Sequence, residues 1–296
     1  MVSQLVVSLK KQSSLYGSKI KILSPAKINL YLNILGKYPS GFHKIESIVE
    51  RVSLSDAITI TVSRQNRTRI FCNNTDLEGE HNLCFKAAEL IKEKLKLAAN
   101  FDISLKKNIP VGSGLGGGSS NAASTLLGIN ALLELGLSQK KLYEFGSELG
   151  SDVNFFLSEA QFALISGRGE KVIPLEGKTL RHIIVWPRVH LATKMVYEHS
   201  KAKLTKVLNN VKMIKYALKK GDISLLKSNI FNALEKSALS LCRELRLAKE
   251  NFDKRGVFSK VTGSGSAFYL VLDGITPYNI NGFLLGDWGV YEVNTF

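Results

Sequence analysis

The chain has 296 residues, 45% of them hydrophobic and 22% charged. This mix builds a real core, and the length suits one large or two medium domains. No apolar run approaches the ~18 residues of a membrane span, and the N-terminus lacks an apolar signal core. The formal charge of +15 favours anionic partners, whether nucleic acid, a membrane surface or phosphorylated metabolites.

Cys72, Cys84 and Cys242 are an odd number with no C-x-x-C pair. They argue against a disulfide framework or a zinc site and fit a reducing cytoplasm, the expected location. In that setting the N-x-[ST] matches at Asn66 and Asn73 carry little weight. The five histidines are scattered without metal-ligand spacing.

In chain order, residues 1–20 hold no acid and several Ser and Lys. An organelle transit segment shares that composition, but an extra strand or a frayed tail is the simpler reading. "SPAKINLYLNILG" alternates. Ile28, Leu30, Leu32 and Ile34 fall on one face, and Lys27, Asn29, Tyr31 and Asn33 on the other. The pattern predicts a strand with one buried face, ended by Gly36 and the turn "YPSG". "SLSDAITITVS" and "TRIFCN" read as strands, "NLCFKAAELIKEKLKLA" as a helix, and "FDISLKKNI" as a strand.

That last strand runs into "NIPVGSGLGGGSSNAAS", which precedes a helix expected over Asn121–Leu135, with Ser119 or Ser120 as N-cap and Gly136 closing it. "SQKKLYEFGSELG" reads as another helix. The second half opens on the strand "HIIVWP". It continues through "KAKLTKVLNNVKMIKYALKK", whose Leu204, Val207, Leu208, Val211, Ile214 and Leu218 recur at helical spacing with lysines facing solvent. A strand, a tight Gly-Ser turn and a strand in "VFSKVTGSGSAFYLVL" come near the end. Strands and helices mix without regular βαβ repetition, so the expected class is α+β. No internal repeat or low-complexity linker marks a boundary. A cut near residue 165 divides the chain into 1–165, with 1–20 as an extension, and 166–296.

The glycine loop needs an explanation, because each glycine costs folding entropy. A Walker A loop requires a lysine after its last glycine, and none follows here. "GSGLGG" spells a dinucleotide fingerprint, but Glu134, at the distance of the ribose-binding acid, falls in a helix rather than at a strand end. What remains is strand, proline, glycine loop, Ser-Ser and helix. "PVGSGLGGGSSNAAS" resembles the second motif of the GHMP small-molecule kinases. "SPAKINL" resembles their first motif and "VTGSGSAFYL" their third, all in the family's order.

Within the family, the extended "SPAKINLYLNILGKYPSGFHKIESI" is similar to the kinases acting on a cytidine-diphosphate-linked methylerythritol. The resemblance spans about Ser24 to Leu270. It implies a two-domain fold with the active site in the cleft between domains. It also implies Mg²⁺-ATP as phosphoryl donor and transfer to the acceptor's 2-hydroxyl in non-mevalonate isoprenoid synthesis. The expected partners are thus small molecules, with neither nucleic acid nor membrane.

By the same resemblance, Pro110, Val111, Gly112, Ser113, Gly114, Leu115, Gly116, Gly117, Gly118, Ser119 and Ser120 wrap the ATP phosphates. Glycines there let backbone N–H groups reach phosphate oxygens, aided by the helix N-terminus. Ser119 or Ser120 contacts phosphate or Mg²⁺; the sequence does not choose between them. Asp152 corresponds to the base beside the acceptor hydroxyl. Lys27 would keep that carboxylate ionised and stabilise the acceptor oxygen, and Asn29 would help hold the substrate. Phe42, where relatives usually have tyrosine, offers a face to the pyrimidine, His43 reads its edge, and Tyr197 supplies the opposing face. Asn154 stands where the family usually has proline. The rivals are another GHMP kinase, of homoserine or mevalonate type, a degenerate homologue, or a nucleic-acid binder driven by charge.

Overall fold

Two long strands, β1 (Lys19–Lys37) and β2 (His43–Ser63), organise the fold. The computed structural model describes residues 16–200, 210–273 and 286–296. The described residues form two compact units. One takes the residues up to Ser24, Ser55–Asn108 and Gly117–Ser158; the other takes Pro25–Leu54, Ile109–Gly116 and Glu159–Phe296. Each unit draws on three stretches of chain, and both long strands contribute to both units. A division at residue 165 is instead a single cut.

In the first unit the end of β2 pairs antiparallel with β4 (Asn100–Lys106), from Ala57 opposite Lys106 to Ser63 opposite Asn100. β3 (Arg69–Cys72) adds in parallel, and the Arg69 guanidinium grips Asp102 through two bonds of 2.7 and 2.9 Å. The helices are α1 (Leu83–Leu95), α2 (Gly117–Leu132), α3 (Gln139–Leu149) and α4 (Val153–Leu157). A continuous run in α2, Ser120 to Leu126, is buried, so this helix has little solvent face. A Cβ on Gly128 would lie 2.4 Å from Ile22 and 2.8 Å from Ile60, so glycine lets α2 press against the strands. α2 starts at Gly117, four residues before the expected Asn121, and ends at Leu132 rather than Leu135. Ser119 and Ser120 are therefore first-turn residues rather than N-caps. Past the helix, Glu134 and Gly136 turn the chain with φ of +50° and +63°.

In the second unit the start of β2 pairs antiparallel with β5 (Phe162–Gly167), which pairs with β6 (Lys171–Leu175). β1 runs parallel to the short β8 (Phe231–Asn232), with Tyr31 opposite Phe231. A separate antiparallel sheet has the order β11-β7-β10-β9, from β7 (Arg181–Trp186), β9 (Lys260–Val261), β10 (Phe268–Leu272) and β11 (Gly289–Asn294). The helices are α5 (Thr193–His199), α6 (Asn210–Lys220), α7 (Ile223–Asn229), α8 (Glu235–Leu241) and α9 (Arg243–Lys254). The mixed elements agree with the expected α+β class. α6 buries Ile214, Ala217 and Leu218 and exposes Lys212, Lys219 and Lys220, as its spacing predicts. Leu204, Val207 and Leu208 of that pattern lie outside the described residues. No helix among those described is long and apolar enough to cross a membrane.

β1 corrects one expectation. Its supposed polar face is also buried: Lys27 is 5% exposed, Asn29 4%, Tyr31 1% and Asn33 3%. The strand is covered on both sides. Ile28, Leu30 and Tyr31 join one apolar cluster, and Leu32 and Ile34 join another. Asn29 is accommodated there by partners from distant parts of the chain, Ser47 and Thr262.

A second buried polar group ties β2 and β7 to Thr295, just past β11. His182 Nε2 meets Glu50 Oε2 at 2.9 Å, and Thr295 Oγ1 donates to Glu50 Oε1 at 2.7 Å. Glu50 and His182 are fully buried, so both donors depend on one carboxylate. Glu50→Ala should cost about 1–3 kcal/mol for each stranded donor. Glu50→Gln, which keeps an acceptor, should cost less, as read by denaturant titration.

Candidate active site

The glycine loop is clasped between the other two motifs. Its Leu115 carbonyl accepts from the Lys27 N–H at 2.9 Å, and its Ser113 carbonyl accepts from the Ala267 N–H at 2.9 Å. Ser113 Oγ donates to the Pro110 carbonyl at 2.7 Å, and Leu115 is buried. Gly112, Gly114 and Gly116 have φ of +67°, +80° and +72°, a region that strains other residues. A Cβ on Gly114 would sit 2.3 Å from the Thr262 carbonyl oxygen. The loop is thus a fixed backbone form rather than a loose turn. Residues 110–116 belong to the second unit; Gly117 to Ser120 open α2 in the first, presenting the free N–H groups of a 16-residue helix.

The two candidate serines differ. Ser120 is fully buried and accepts from Ser24 Oγ at 2.8 Å. Asn121 Nδ2 donates to Ser24 Oγ and to Asp56 Oδ2, both at 2.9 Å, and Lys107 pairs with Asp56. Ser120 is therefore part of an internal network that fixes the first turn of α2. Ser119 is half-buried and is the serine with access to a ligand.

Lys27, Asn29 and the third motif meet in the second unit. Lys27 Nζ donates to Asn29 Oδ1 at 2.6 Å, and Asn29 N donates to Thr262 Oγ1 at 3.1 Å. A Cβ on Gly263 (φ +56°) would lie 3.3 Å from Asn29 Oδ1 and 3.4 Å from Lys27 Nζ, so the motif's backbone runs alongside both. Asp152, in the first unit, occupies the N-cap position of α4 without making a side-chain capping bond. Asn154 is buried and donates from Nδ2 to Ser147 Oγ at 2.9 Å. Its Oδ1 would meet a Cβ on Gly146 at 2.3 Å, so asparagine joins α4 to α3 where the family usually has proline.

The acceptor candidates also lie in the second unit. The His43 and Tyr197 rings are 4.9 Å apart and tilted by 35°. Burial, then the charge of Lys37, pushes the His43 imidazole below its usual pKa, favouring the neutral ring with one donor and one acceptor. Phe42 is 53% exposed, and the Arg168 guanidinium lies 5.1 Å from its ring centroid. Tyr197 thus packs beside His43, while Arg168 takes a face of Phe42. Arg168 in "SGRGEK", Thr262 in the third motif and His190, whose ring occupies the space of a Gly112 Cβ, are missing from the sequence-derived set. Only Thr262 lies in a quoted motif, and its one signal is that position.

Gly114→Ala should distort the clasp, through both its positive φ and the Thr262 contact. The expected result is a folded protein with at least about tenfold weaker nucleotide binding, measured by calorimetry alongside circular dichroism. Wild-type affinity would show that the loop tolerates movement there.

Residues 82–159 match the model of the GHMP kinases N terminal domain. A protein of Caldanaerobacter subterraneus named 4-diphosphocytidyl-2-C-methyl-D-erythritol kinase is 36% identical over 87% of this chain and 89% of its own length. A Clostridioides difficile protein of the same name is 34% identical over 84% of this chain and 86% of its own. Among solved structures, a 4-(cytidine 5'-diphospho)-2C-methyl-D-erythritol kinase superposes with a TM-score of 0.75 at 28% identity, covering 93% of this chain and 99% of that one. The homoserine kinase of Cytophaga hutchinsonii shares the fold, with a TM-score of 0.70 at 19% identity and 94% of each chain covered. With the three motifs clasped together and relatives of one name matching along most of its length, the chain belongs to the 4-diphosphocytidyl-2-C-methyl-D-erythritol kinases of the GHMP kinase family.

Proposed function

We propose that this chain transfers the γ-phosphoryl group of ATP to the 2-hydroxyl of 4-diphosphocytidyl-2-C-methyl-D-erythritol, giving ADP and the 2-phosphate, in non-mevalonate isoprenoid synthesis. The observation that carries the reading is the clasp, in which a glycine loop of fixed form is bonded to the strand bearing Lys27 and to the third motif. Its positive-φ glycines hold a backbone form that would strain other residues, and the start of α2 favours negative charge. These features fit ATP. No group of three or more His, Cys, Asp or Glu among the described residues is arranged as a metal site. A nucleotide-borne Mg²⁺ needs fewer protein ligands, because the phosphates supply several. The accessible hydroxyl of Ser119 fits that contact; Ser120 is engaged elsewhere. Bound Mg²⁺ would neutralise phosphate charge.

The protein's own part is positioning and charge. Asp152 accepts the proton of the 2-hydroxyl as its oxygen bonds to phosphorus and the bond to ADP breaks. Lys27 supplies positive charge to the transferring group, with Asn29 fixing its ammonium. His43 reads the cytosine edge, and Phe42 and Tyr197 provide aromatic surface for the base. Binding energy from this remote end positions the small reacting end.

Asp152→Asn should lower turnover by about 10²–10⁴-fold with little change in ATP binding, as measured by coupled ADP release. Turnover near wild type would remove Asp152 from proton transfer. The acceptor pocket has its own test. Phe42→Ala should weaken the full acceptor by about 1–3 kcal/mol and leave the KM for ATP nearly constant, and methylerythritol 4-phosphate should be a very poor substrate. A mutant that weakens ATP instead, or efficient use of the truncated acceptor, would displace the cytidine from this pocket.

A further inference from the structure

Ser47 lies in β2, five positions past Phe42, and is fully buried. Its hydroxyl donates to the carbonyl of Tyr31. A hydroxyl has one proton, so toward its other neighbour Ser47 can only accept. That neighbour is Asn29, whose Nδ2 donates to Ser47 Oγ at 2.9 Å. The Asn29 carboxamide is therefore held amide-nitrogen toward Ser47, and its Oδ1 is turned to the Lys27 ammonium at 2.6 Å. An ammonium only donates, so a flipped carboxamide would set two donors against each other.

The backbone of Asn29 is pinned as well. Its N–H reaches Thr262 Oγ1 at 3.1 Å, and its carbonyl accepts from Tyr269 Oη at 2.9 Å. With the main chain fixed, rotation of the carboxamide is the freedom left; Ser47 restrains its nitrogen at 2.9 Å, a closer contact than the 3.4 Å from Thr262 Oγ1 to its oxygen.

We propose that Ser47 is a positioning residue that sets the orientation of the Asn29 carboxamide and, through it, the place of the Lys27 ammonium. The role rests on the kinase reading for its catalytic consequence, but not for its geometry.

The test compares Ser47→Thr, which keeps the hydroxyl, with Ser47→Val, nearly the same shape without it. Ser47→Cys is a smaller alternative should Val unfold the protein. Val or Cys should lower kcat by about tenfold to 10²-fold with both KM values little changed, and Thr should restore most of the rate. In parallel, NMR of the Asn29 side-chain amide and the Lys27 Nζ would show both resonances moved in Val or Cys and restored in Thr. Equal kcat in Thr and Val, or unmoved Lys27 and Asn29 resonances in a folded Val or Cys variant, would overturn the proposal. A wild-type protein without kinase activity would refute the kinase reading, while the two resonances still decide the role of Ser47.

Discussion

A lysine ammonium that is 5% exposed sets the terms for the structure around it. Taking such a charge from water is costly unless hydrogen-bond acceptors replace the water. The Asn29 carboxamide is one such acceptor; its nitrogen donates to Ser47, and its oxygen also accepts from Thr262 Oγ1. Holding these groups together brings three regions into contact: β1, the stretch of β2 after the "GFH" turn, and the third glycine-rich motif. The same contact lets the Lys27 N–H clasp the glycine loop.

Elements with a clear period were legible in the sequence. The Lys-rich helix, the strand pair around the Gly-Ser turn and the mixture of helix and strand follow from apolar spacing and turn residues. Burial on both faces of β1 was not legible. Alternation distinguishes polar from apolar, but it cannot show that Lys27, Asn29 and Asn33 are buried as fully as the apolar face. The start of α2 was also missed. Glycine carries a poor helix propensity, so Gly117 and Gly118 read as loop, whereas contacts of the buried helix decide its extent.

The site divides in the same way. Lys27, Asn29 and the glycine loop came from motif order and Asp152 from its correspondence to the family, both of which identify residues without their bonds. The choice between Ser119 and Ser120 needed Ser24 and Asp56, which no local pattern links to the loop. Arg168 and Ser47 were similarly silent. One is a single charge in a hairpin turn, and the other is one hydroxyl in a strand, and each gains meaning from what it touches. The large positive charge was a weak guide by comparison. The lysines of α6 that contribute to it stand on an outward face, where hydrated charge requires no particular partner.

Asn29 and Thr262 are 233 positions apart. On a ribosome adding roughly 5–20 residues per second, their partnership waits about 10–50 s after Asn29 has been made. Throughout that interval the nascent chain carries a strand with apolar residues on one side and a lysine and two asparagines on the other, while the third motif that covers it is still missing. The clasp on the glycine loop waits for Ala267 as well. The fixed form of the loop is therefore completed late in synthesis, and a chain cut short before residue 260 would emerge with every residue of its glycine loop and the Lys27 half of the clasp, but without the bond from the third motif.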